Sequence, residues 1–187
     1  MSTQERLIET TRELLWERGY VGTSPKAILR GAGVGQGSMY HHFTGKEDLA
    51  LASIRRTGEE MRAGVDRLLG AGGTAYERVE AYLLRERDVL RGCAIGRLTM
   101  DPDVLASDAL RTPVDETLAH VRNRLADVLQ EGVDSGEFGT HVVPHDLAAT
   151  IVATVQGGYV LARASRDTHA FDAGVRGLLS LLSPATD

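Results

Sequence analysis

The sequence predicts an all-α fold, with an N-terminal three-helix domain that contains a helix-turn-helix and a larger helical C-terminal domain. Apolar residues recur at helical spacing along most of the 187 residues. Aromatic residues make up only 5% of the chain, prolines number five, and no sustained period-two pattern indicates a strand. Two very short helical stretches joined by a glycine turn lie between Thr23 and Leu49, as in a helix-turn-helix. We therefore place the domain boundary between residues 1–47 and 48–187.

Caps and glycines predict the first three helices. Ser24 followed by Pro25 is a helix start, because the hydroxyl can accept a free backbone N–H and proline at the first position loses no hydrogen bond. Gly33 can adopt left-handed backbone and so end that helix. The predicted helices span about 3–18, 25–32 and 35–43.

A capping box is predicted at the start of the fourth helix. In it, Thr44 accepts the Glu47 N–H and Glu47 reaches back to Thr44. Asp101-Pro102 punctuates a short apolar stretch at 94–100, and Gly70 to Thr74 is a loop. The remaining predicted helices span about 45–69, 75–90, 110–133, 144–165 and 168–182, the last ending before Ser183-Pro184.

The third short helix carries polar groups suited to nucleic acid. Gln36 can pair bidentately with adenine, and Ser38 is a less selective reader of base edges. Tyr40, His41 and Lys46 are donors that phosphate oxygens accept, and Lys46 also lies in the first turn of the next helix, which favours an anion. The sequence therefore predicts that this helix enters a DNA major groove.

About a dozen positions agree, in order and spacing, with one known DNA-binding domain: Gly19-Tyr20, Thr23-Ser24, Ile28, Ala32-Gly33-Val34, Gly37, Tyr40, His42-Phe43, Lys46 and Leu49. Over residues 5 to 55 the chain resembles the TetR/AcrR family of bacterial transcriptional regulators. The resemblance implies that His42 and Phe43 pack inward. It implies base contacts by Lys26, Gln36, Gly37 and Ser38, and phosphate contacts by Ser24, Tyr40, His41 and Lys46.

Three positions depart from the family's usual residues. Gly35 stands where serine is the usual N-cap. Glycine at that position costs only about a few tenths of a kcal/mol of helix stability. Met39 replaces a leucine or isoleucine, which changes the shape of the core slightly. Trp16 stands where a small or polar residue is common.

The two terminal helices are predicted to form a dimer interface. The penultimate helix is apolar almost all round, and its Gly157-Gly158 pair suits the close approach of another helix. The alternative is that these helices complete the core of one chain. Because family members dimerise through a four-helix interface, we predict a homodimer on an inverted-repeat operator in double-stranded DNA. The predicted interface residues are Leu147, Ile151, Val155, Gly158, Leu161, Phe171, Val175, Leu178 and Leu182.

The middle helices are predicted to enclose an effector pocket. No charged cluster marks a ligand chemistry, so a moderately apolar small molecule is expected. The predicted lining residues are Met61, Tyr82, Cys93, Leu98, Met100, Val121 and Tyr159, each of which could also be plain core.

The leading prediction is a repressor that leaves its operator when it binds a small molecule. Two other functions remain open. Cys93 could sense electrophiles or oxidants, because Arg91 and Arg97 lie near it and a cation lowers a thiol pKa. The chain could also be a helical small-molecule-binding protein that no longer reads DNA. The intact donor set of Tyr40, His41 and Lys46 argues against the last reading.

Composition argues against several other classes. Residues 1–56 hold eight basic and six acidic side chains, whereas the remainder holds 13 and 20, so a slightly basic head precedes an acidic body. The single cysteine excludes an internal disulfide and suits a reducing cytoplasm, here near the nucleoid. No enzyme motif, metal site or cofactor site is predicted. Residues 1–20 are charged throughout, which predicts no signal peptide, and no apolar run is expected to span a membrane.

Overall fold

The computed structural model describes residues 1–183, and within that range it contains nine α-helices and no strand. The predicted all-α fold is confirmed. Pro184, predicted to follow the last helix, and the end of the predicted range 48–187 lie outside the described residues. The helices are α1 (Thr3–Arg18), α2 (Pro25–Ala32), α3 (Gln36–His42), α4 (Lys46–Leu69), α5 (Ala75–Leu84), α6 (Pro102–Ala106), α7 (Asp108–Asp134), α8 (Pro144–Ser165) and α9 (His169–Leu182).

The chain forms two compact units, and two long helices run through both. The first unit holds Met1–Met61 and Cys93–Leu118, and the second holds Arg62–Gly92 and the chain from Ala119 onward. Helices α4 and α7 each contribute residues to both units. The predicted boundary between residues 47 and 48 stays a prediction.

The first unit contains two apolar clusters. One cluster lies among α1, α2, α3 and the start of α4, and it holds the short helices in place. The other joins α1 and α4 to the chain between residues 93 and 118. The first cluster consists of Leu7, Ile8, Ile28, Ala32, Met39, Phe43 and Leu49, and the second of Leu15, Ala50, Ile54, Ile95, Leu98, Val104, Leu110 and Val114.

The predicted turn between α2 and α3 is present. The Ser24 hydroxyl accepts the Ala27 N–H at 3.2 Å and caps α2. Gly33 ends the helix in the left-handed region (φ 63°, ψ 40°), a conformation that glycine adopts without steric cost. Val34 then donates its N–H to the Leu29 carbonyl at 3.1 Å, which closes the turn.

The capping box predicted at the start of α4 is wrong, because Thr44 pairs with a different residue from the one predicted. Asp48, rather than Glu47, accepts the Thr44 N–H, at 2.9 Å. Glu47 is occupied elsewhere, because its Oε1 accepts the Ser107 hydroxyl at 2.7 Å. The helix still begins close to the predicted residue, since a carboxylate in its first turn interacts favourably with the helix dipole.

Helix α5 is shorter than predicted, because it ends at Leu84 rather than near Leu90. Side chains of the next segment bond to the backbone there: Arg87 donates to the Tyr82 carbonyl and Asp88 accepts the Arg91 N–H at 3.1 Å. Such local side-chain bonds compete with helix continuation. Apolar periodicity alone could not show this competition.

Between residues 96 and 107 the chain is more helical than predicted. Gly96–Met100 form a 3₁₀ turn, and Asp101 caps α6 by accepting the Asp103 N–H at 3.2 Å. Asp101-Pro102 thus starts a helix, because proline suits the first helical position. Helix α7 begins at Asp108, slightly earlier than the predicted start near Leu110.

In the second unit, α8 and α9 pack along each other. A Cβ added to Gly158 would lie 2.8 Å from the Phe171 ring, so only glycine allows this approach. The Tyr159 and Phe171 rings lie 5.0 Å apart across the same seam. Of the described helices, α8 alone is long and apolar enough to cross a membrane by length and composition, which corrects the expectation that none would be. Core helices pass the same criterion, and α8 packs on α9.

Candidate nucleic-acid interface

Helix α3 has an accessible polar side and one buried anchor residue. Met39 is completely buried in the first apolar cluster and fixes the helix. On the other side Gln36 and Gly37 are exposed, Ser38 is half-buried, and Tyr40 is 54% exposed. The predicted base-reading residues of this helix therefore lie on one short, accessible surface.

Glycines keep the start of α3 open. Gly35 caps the helix with extended backbone and no side-chain hydrogen bond. A Cβ added to Gly35 or Gly37 would meet no atom within 4 Å. The fold of the chain therefore does not itself require glycine at either position, whereas close approach of the backbone to a large external partner would.

The predicted phosphate donors have different environments. His41 and Tyr40 are exposed on α3, and Lys26, predicted to reach a base, is exposed on α2. Ser24 is also exposed, but its oxygen already caps α2. Its O–H remains the group that could donate to a phosphate.

Lys46 is half-buried, unlike the exposed Tyr40 and His41. Its Nζ lies 3.8 Å from the centre of the Tyr20 ring, in a cation–π contact. Burial lowers the pKa of Lys46, while the carboxylates of Asp101 and Asp103 oppose that shift. The ammonium thus contacts an aromatic ring and is attracted by two carboxylates, and both interactions compete with any phosphate for it.

One inward-facing residue was predicted wrongly. Phe43 is buried as expected, but His42 is exposed. The His42 ring lies against its neighbours instead, 4.9 Å from the His41 ring and 6.5 Å from the Phe43 ring. Helix α3 ends at His42, so the chain turns there and only Phe43 reaches the core.

Family models match both parts of the chain. Residues 7–53 match the model for bacterial regulatory proteins of the tetR family, and residues 64–178 match the model for the tetracyclin repressor-like C-terminal domain. The chain belongs to the TetR family. It is accordingly a DNA-binding transcriptional regulator, and α2 and α3 are its helix-turn-helix.

Named relatives align over nearly the whole chain. The transcriptional repressor DhaR of Mycobacterium sp. (strain GP1) is 24% identical, over 98% of this chain and 94% of the relative. The repressor NemR of Escherichia coli (strain K12) is 26% identical, over 88% of this chain and 85% of the relative. Both are described as repressors.

Solved structures share the fold. The reduced form of E. coli NemR superposes with a TM-score of 0.86 at 25% identity, covering 99% of this chain and 100% of that one. A TetR regulator from Chloroflexus aurantiacus gives a TM-score of 0.85 at 26% identity, covering 96% and 93%.

The predicted effector-pocket residues fall into both compact units. In the first unit Leu98 is buried in the second apolar cluster, Met61 and Cys93 pack against that cluster, and Met100 is 76% exposed. In the second unit Tyr82, Val121 and Tyr159 are buried. Their role in binding an effector stays a prediction.

A small recess lies in the first unit beside Trp16. Its cavity volume is about 10 Å³, which suits about one water molecule. Arg12 on its rim is half-buried and bonds Thr57 at 3.0 Å as well as Glu9 and Glu60. These contacts tie α1 to α4.

Most of the predicted interface residues are already buried within one chain. They form the seam between α8 and α9, which fits the alternative that these helices complete the core. Leu161 is exposed and Leu147 is half-buried. The seven buried residues are Ile151, Val155, Gly158, Phe171, Val175, Leu178 and Leu182.

Sequence reasoning missed the contacts that Asp101 makes with the head. Its buried carboxylate accepts the Val21 N–H at 2.9 Å, from the loop between α1 and α2. An aspartate before a proline is a sequence signal for a helix N-cap. Nothing in the sequence shows that the second oxygen of that cap would contact residues 80 positions earlier.

Proposed function

We propose that this regulator is a repressor that binds an inverted-repeat operator as a homodimer and leaves it when a small-molecule effector binds. The observation that carries the proposal is the polar side of α3, where Gln36, Gly37 and Tyr40 are exposed while the buried Met39 holds the helix in place. A packing helix would cover that face, and a metal or substrate site would need convergent groups. An exposed helix with an open glycine start suits a major groove instead.

The DNA-reading part is tested with duplexes from the region beside its own gene. Gln36→Ala is expected to cost about 1–3 kcal/mol and to relax specificity at one base pair. Lys46→Gln is expected to weaken binding to all sequences alike. It should also reduce by about 1 the slope of log affinity against log salt concentration. A regulator that binds these duplexes without salt dependence, or equally well after both changes, would count against the proposal.

The dimer is supported by an apolar surface that one chain leaves open. Val160 is 57% and Leu161 58% exposed on α8, and Leu181 is 86% exposed on α9. Small residues continue the two surfaces, so a second copy could approach closely. These small exposed residues are Ala149, Ala153 and Gly157 on α8, and Ala173 and Gly177 on α9.

Leu161→Glu tests that interface in solution. Sedimentation should show a dimer for the wild type and a monomer for the variant, because a buried glutamate without a partner is costly. Leu84→Glu is the matched control, since Leu84 is 59% exposed on α5 and lies outside this surface. A monomeric wild type, or a dimer unaffected by Leu161→Glu, would refute the interface.

The effector is proposed to be a moderately apolar small molecule that favours a conformation with low operator affinity, a population shift without chemistry. The lone Trp16 reports on the first unit, so its fluorescence gives a screen of candidate effectors. An effector should change that signal and release operator at the same concentration. The regulator is expected to act in the cytoplasm, at the nucleoid.

A second candidate trigger is oxidation or alkylation of Cys93. The Gly96 N–H donates to the Cys93 sulfur at 3.2 Å, and the side chain is only half-buried, so a reagent could reach it. Cys93→Ser decides between the triggers. If oxidants or electrophiles still release the DNA from this variant as they do from the wild type, Cys93 is not the sensor.

A further inference from the structure

Asp101 is a buried carboxylate with both oxygens in use. It is 7% exposed. Its Oδ1 accepts the N–H groups of Asp103 and Val104, at 3.2 and 3.4 Å, and so caps α6. Its Oδ2 accepts the N–H of Val21 at 2.9 Å. One carboxylate therefore joins α6 to the loop between α1 and α2.

The loop that receives this contact is closely fitted to it. Gly19 has a φ of 74°, and a Cβ there would lie 2.9 Å from Asp101 Oδ2. The buried Thr23 hydroxyl donates to the Gly19 carbonyl at 2.7 Å, and the Thr23 N–H donates to the Tyr20 carbonyl at 3.1 Å. The next residue is Ser24, the cap of α2. The carboxylate thus contacts the turn that sets where α2 begins.

We propose that Asp101 is a positioning residue for DNA recognition, which holds the Gly19–Thr23 turn and through it the α2–α3 pair; this rests on the proposed function. A hydrogen bond to a charged acceptor is stronger and more directional than a neutral one. Helices α2 and α3 share one apolar cluster through Ile28 and Met39, so a shift of the turn moves both helices.

The same contact links the reading head to a distant part of the sequence. Asp101 lies in the stretch that the C-terminal family model matches, yet it packs in the first compact unit, with the head. A second hydrogen bond, from the Ser107 hydroxyl to Glu47, ties the end of the same short segment to α4. A rearrangement of residues 96–107 would therefore change the placement of α3 through Asp101.

Two substitutions separate the contact to the head from the cap of α6. Asp101→Asn keeps the size but has one acceptor oxygen, so it cannot serve both sides. Asp101→Ser keeps a good helix cap, but its short side chain cannot also reach Val21. Asp103→Asn is the matched control. It removes the same charge beside Lys46 and Tyr20 from an exposed side chain, and it keeps the Asp103 N–H.

Operator affinity is measured with a duplex that the wild-type protein selects from a random-sequence pool. Both Asp101 variants are expected to bind it about tenfold more weakly, which corresponds to about 1.4 kcal/mol. Asp103→Asn should bind as the wild type does. Equal weakening in Asp103→Asn would mean that charge alone matters, and unchanged affinity in folded Asp101 variants would mean a cap only. Either result overturns the proposal.

Hydrogen exchange in the free protein tests the same positioning without DNA. In the Asp101 variants the Val21 amide should lose protection, and the amides of α2 should exchange faster with it, while Asp103→Asn leaves both unchanged. Loss at Val21 with an unaltered α2 would refute the positioning role. If the wild type selects no duplex, the proposed function fails, and the exchange result still decides whether Asp101 holds α2.

Discussion

The pair α2–α3 and the pair α8–α9 use glycine in opposite ways. Gly37 in α3 has no neighbour within 4 Å of an added Cβ, whereas a Cβ on Gly158 in α8 would lie 2.8 Å from the Phe171 ring. Gly37 leaves room for a partner outside the chain, whereas Gly158 lets two helices of the same chain approach each other closely. The two helices also differ in burial, because α3 has one buried residue, Met39, whereas α8 has six.

This difference separates recognition from stability. A short helix with one buried anchor can present its backbone to a groove, because little of its surface is needed for folding. A long apolar pair stabilises its unit by burying a continuous seam. Substitutions in α8–α9 should therefore change the free energy of unfolding, and substitutions in α3 should change DNA affinity.

The largest expected effect is at Phe171. The ring is 5% exposed and packs on Tyr159 and Gly158, so Phe171→Ala removes a large buried group and leaves a cavity. We expect the free energy of unfolding to fall by about 3–5 kcal/mol. Urea denaturation followed by circular dichroism measures this loss. A loss below about 1 kcal/mol would show that the seam is not tightly packed.

The neighbouring glycines of α8 should respond with opposite signs. Gly158→Ala should destabilise by about 1–3 kcal/mol, because the new methyl overlaps the Phe171 ring. Gly157→Ala should stabilise by up to about 1 kcal/mol, because nothing lies within 4 Å and alanine favours helix. Both are compared in the monomeric Leu161→Glu background, so that no partner contact enters. Equal effects at the two positions would contradict the seam.

Gly37→Ala should separate the two properties in one variant. The free energy of unfolding should rise by up to about 1 kcal/mol, since alanine is the better helix former and the added methyl meets no atom of the chain. Operator affinity should fall by about 1–3 kcal/mol, the scale of one base contact, because the methyl enters the groove. Thermal melting and a binding titration check the two signs. Unchanged affinity would place this glycine away from the DNA.

Local rules predicted the reading head well, because its elements depend on neighbours in sequence. Ser24-Pro25 and Gly33 mark the bounds of α2 by their own capping and backbone preferences. Several errors lie where a side chain bonds to a distant or competing partner. Arg87 donates to the Tyr82 carbonyl where α5 ends, and Asp101 accepts the N–H of Val21, 80 residues earlier. Periodicity carries no information on such contacts.

The apolar pattern of α8–α9 also left its partner undecided. Periodicity shows that Ile151 and Leu178 must be buried, but not whether the covering helix belongs to the same chain. The structure places both in the seam within one chain, and it leaves Leu161 and Leu181 exposed. Burial inside a chain and between chains rests on the same apolar side chains, so sequence alone cannot separate them.

The smallest expected effect is the alkaline pH dependence of DNA affinity through Lys46. Burial lowers its pKa below the ordinary 10.5, so between these two values the folded head holds fewer protons than the unfolded chain. The contribution of this group to stability therefore rises with pH in that window. Its attraction for phosphate changes in the opposite direction, because the positive charge is lost as the pH rises through the lowered value.

Lys46→Arg provides the control, because arginine stays charged throughout that window. The Tyr20 phenol beneath it should stay protonated, since burial and the carboxylates of Glu47, Asp103 and Asp101 raise the pKa of Tyr20. Wild-type affinity should fall relative to Lys46→Arg by at most about fivefold, the roughly 1 kcal/mol of one ion pair in water. Parallel pH profiles for the two proteins would show that Lys46 remains with Tyr20 and does not contact phosphate.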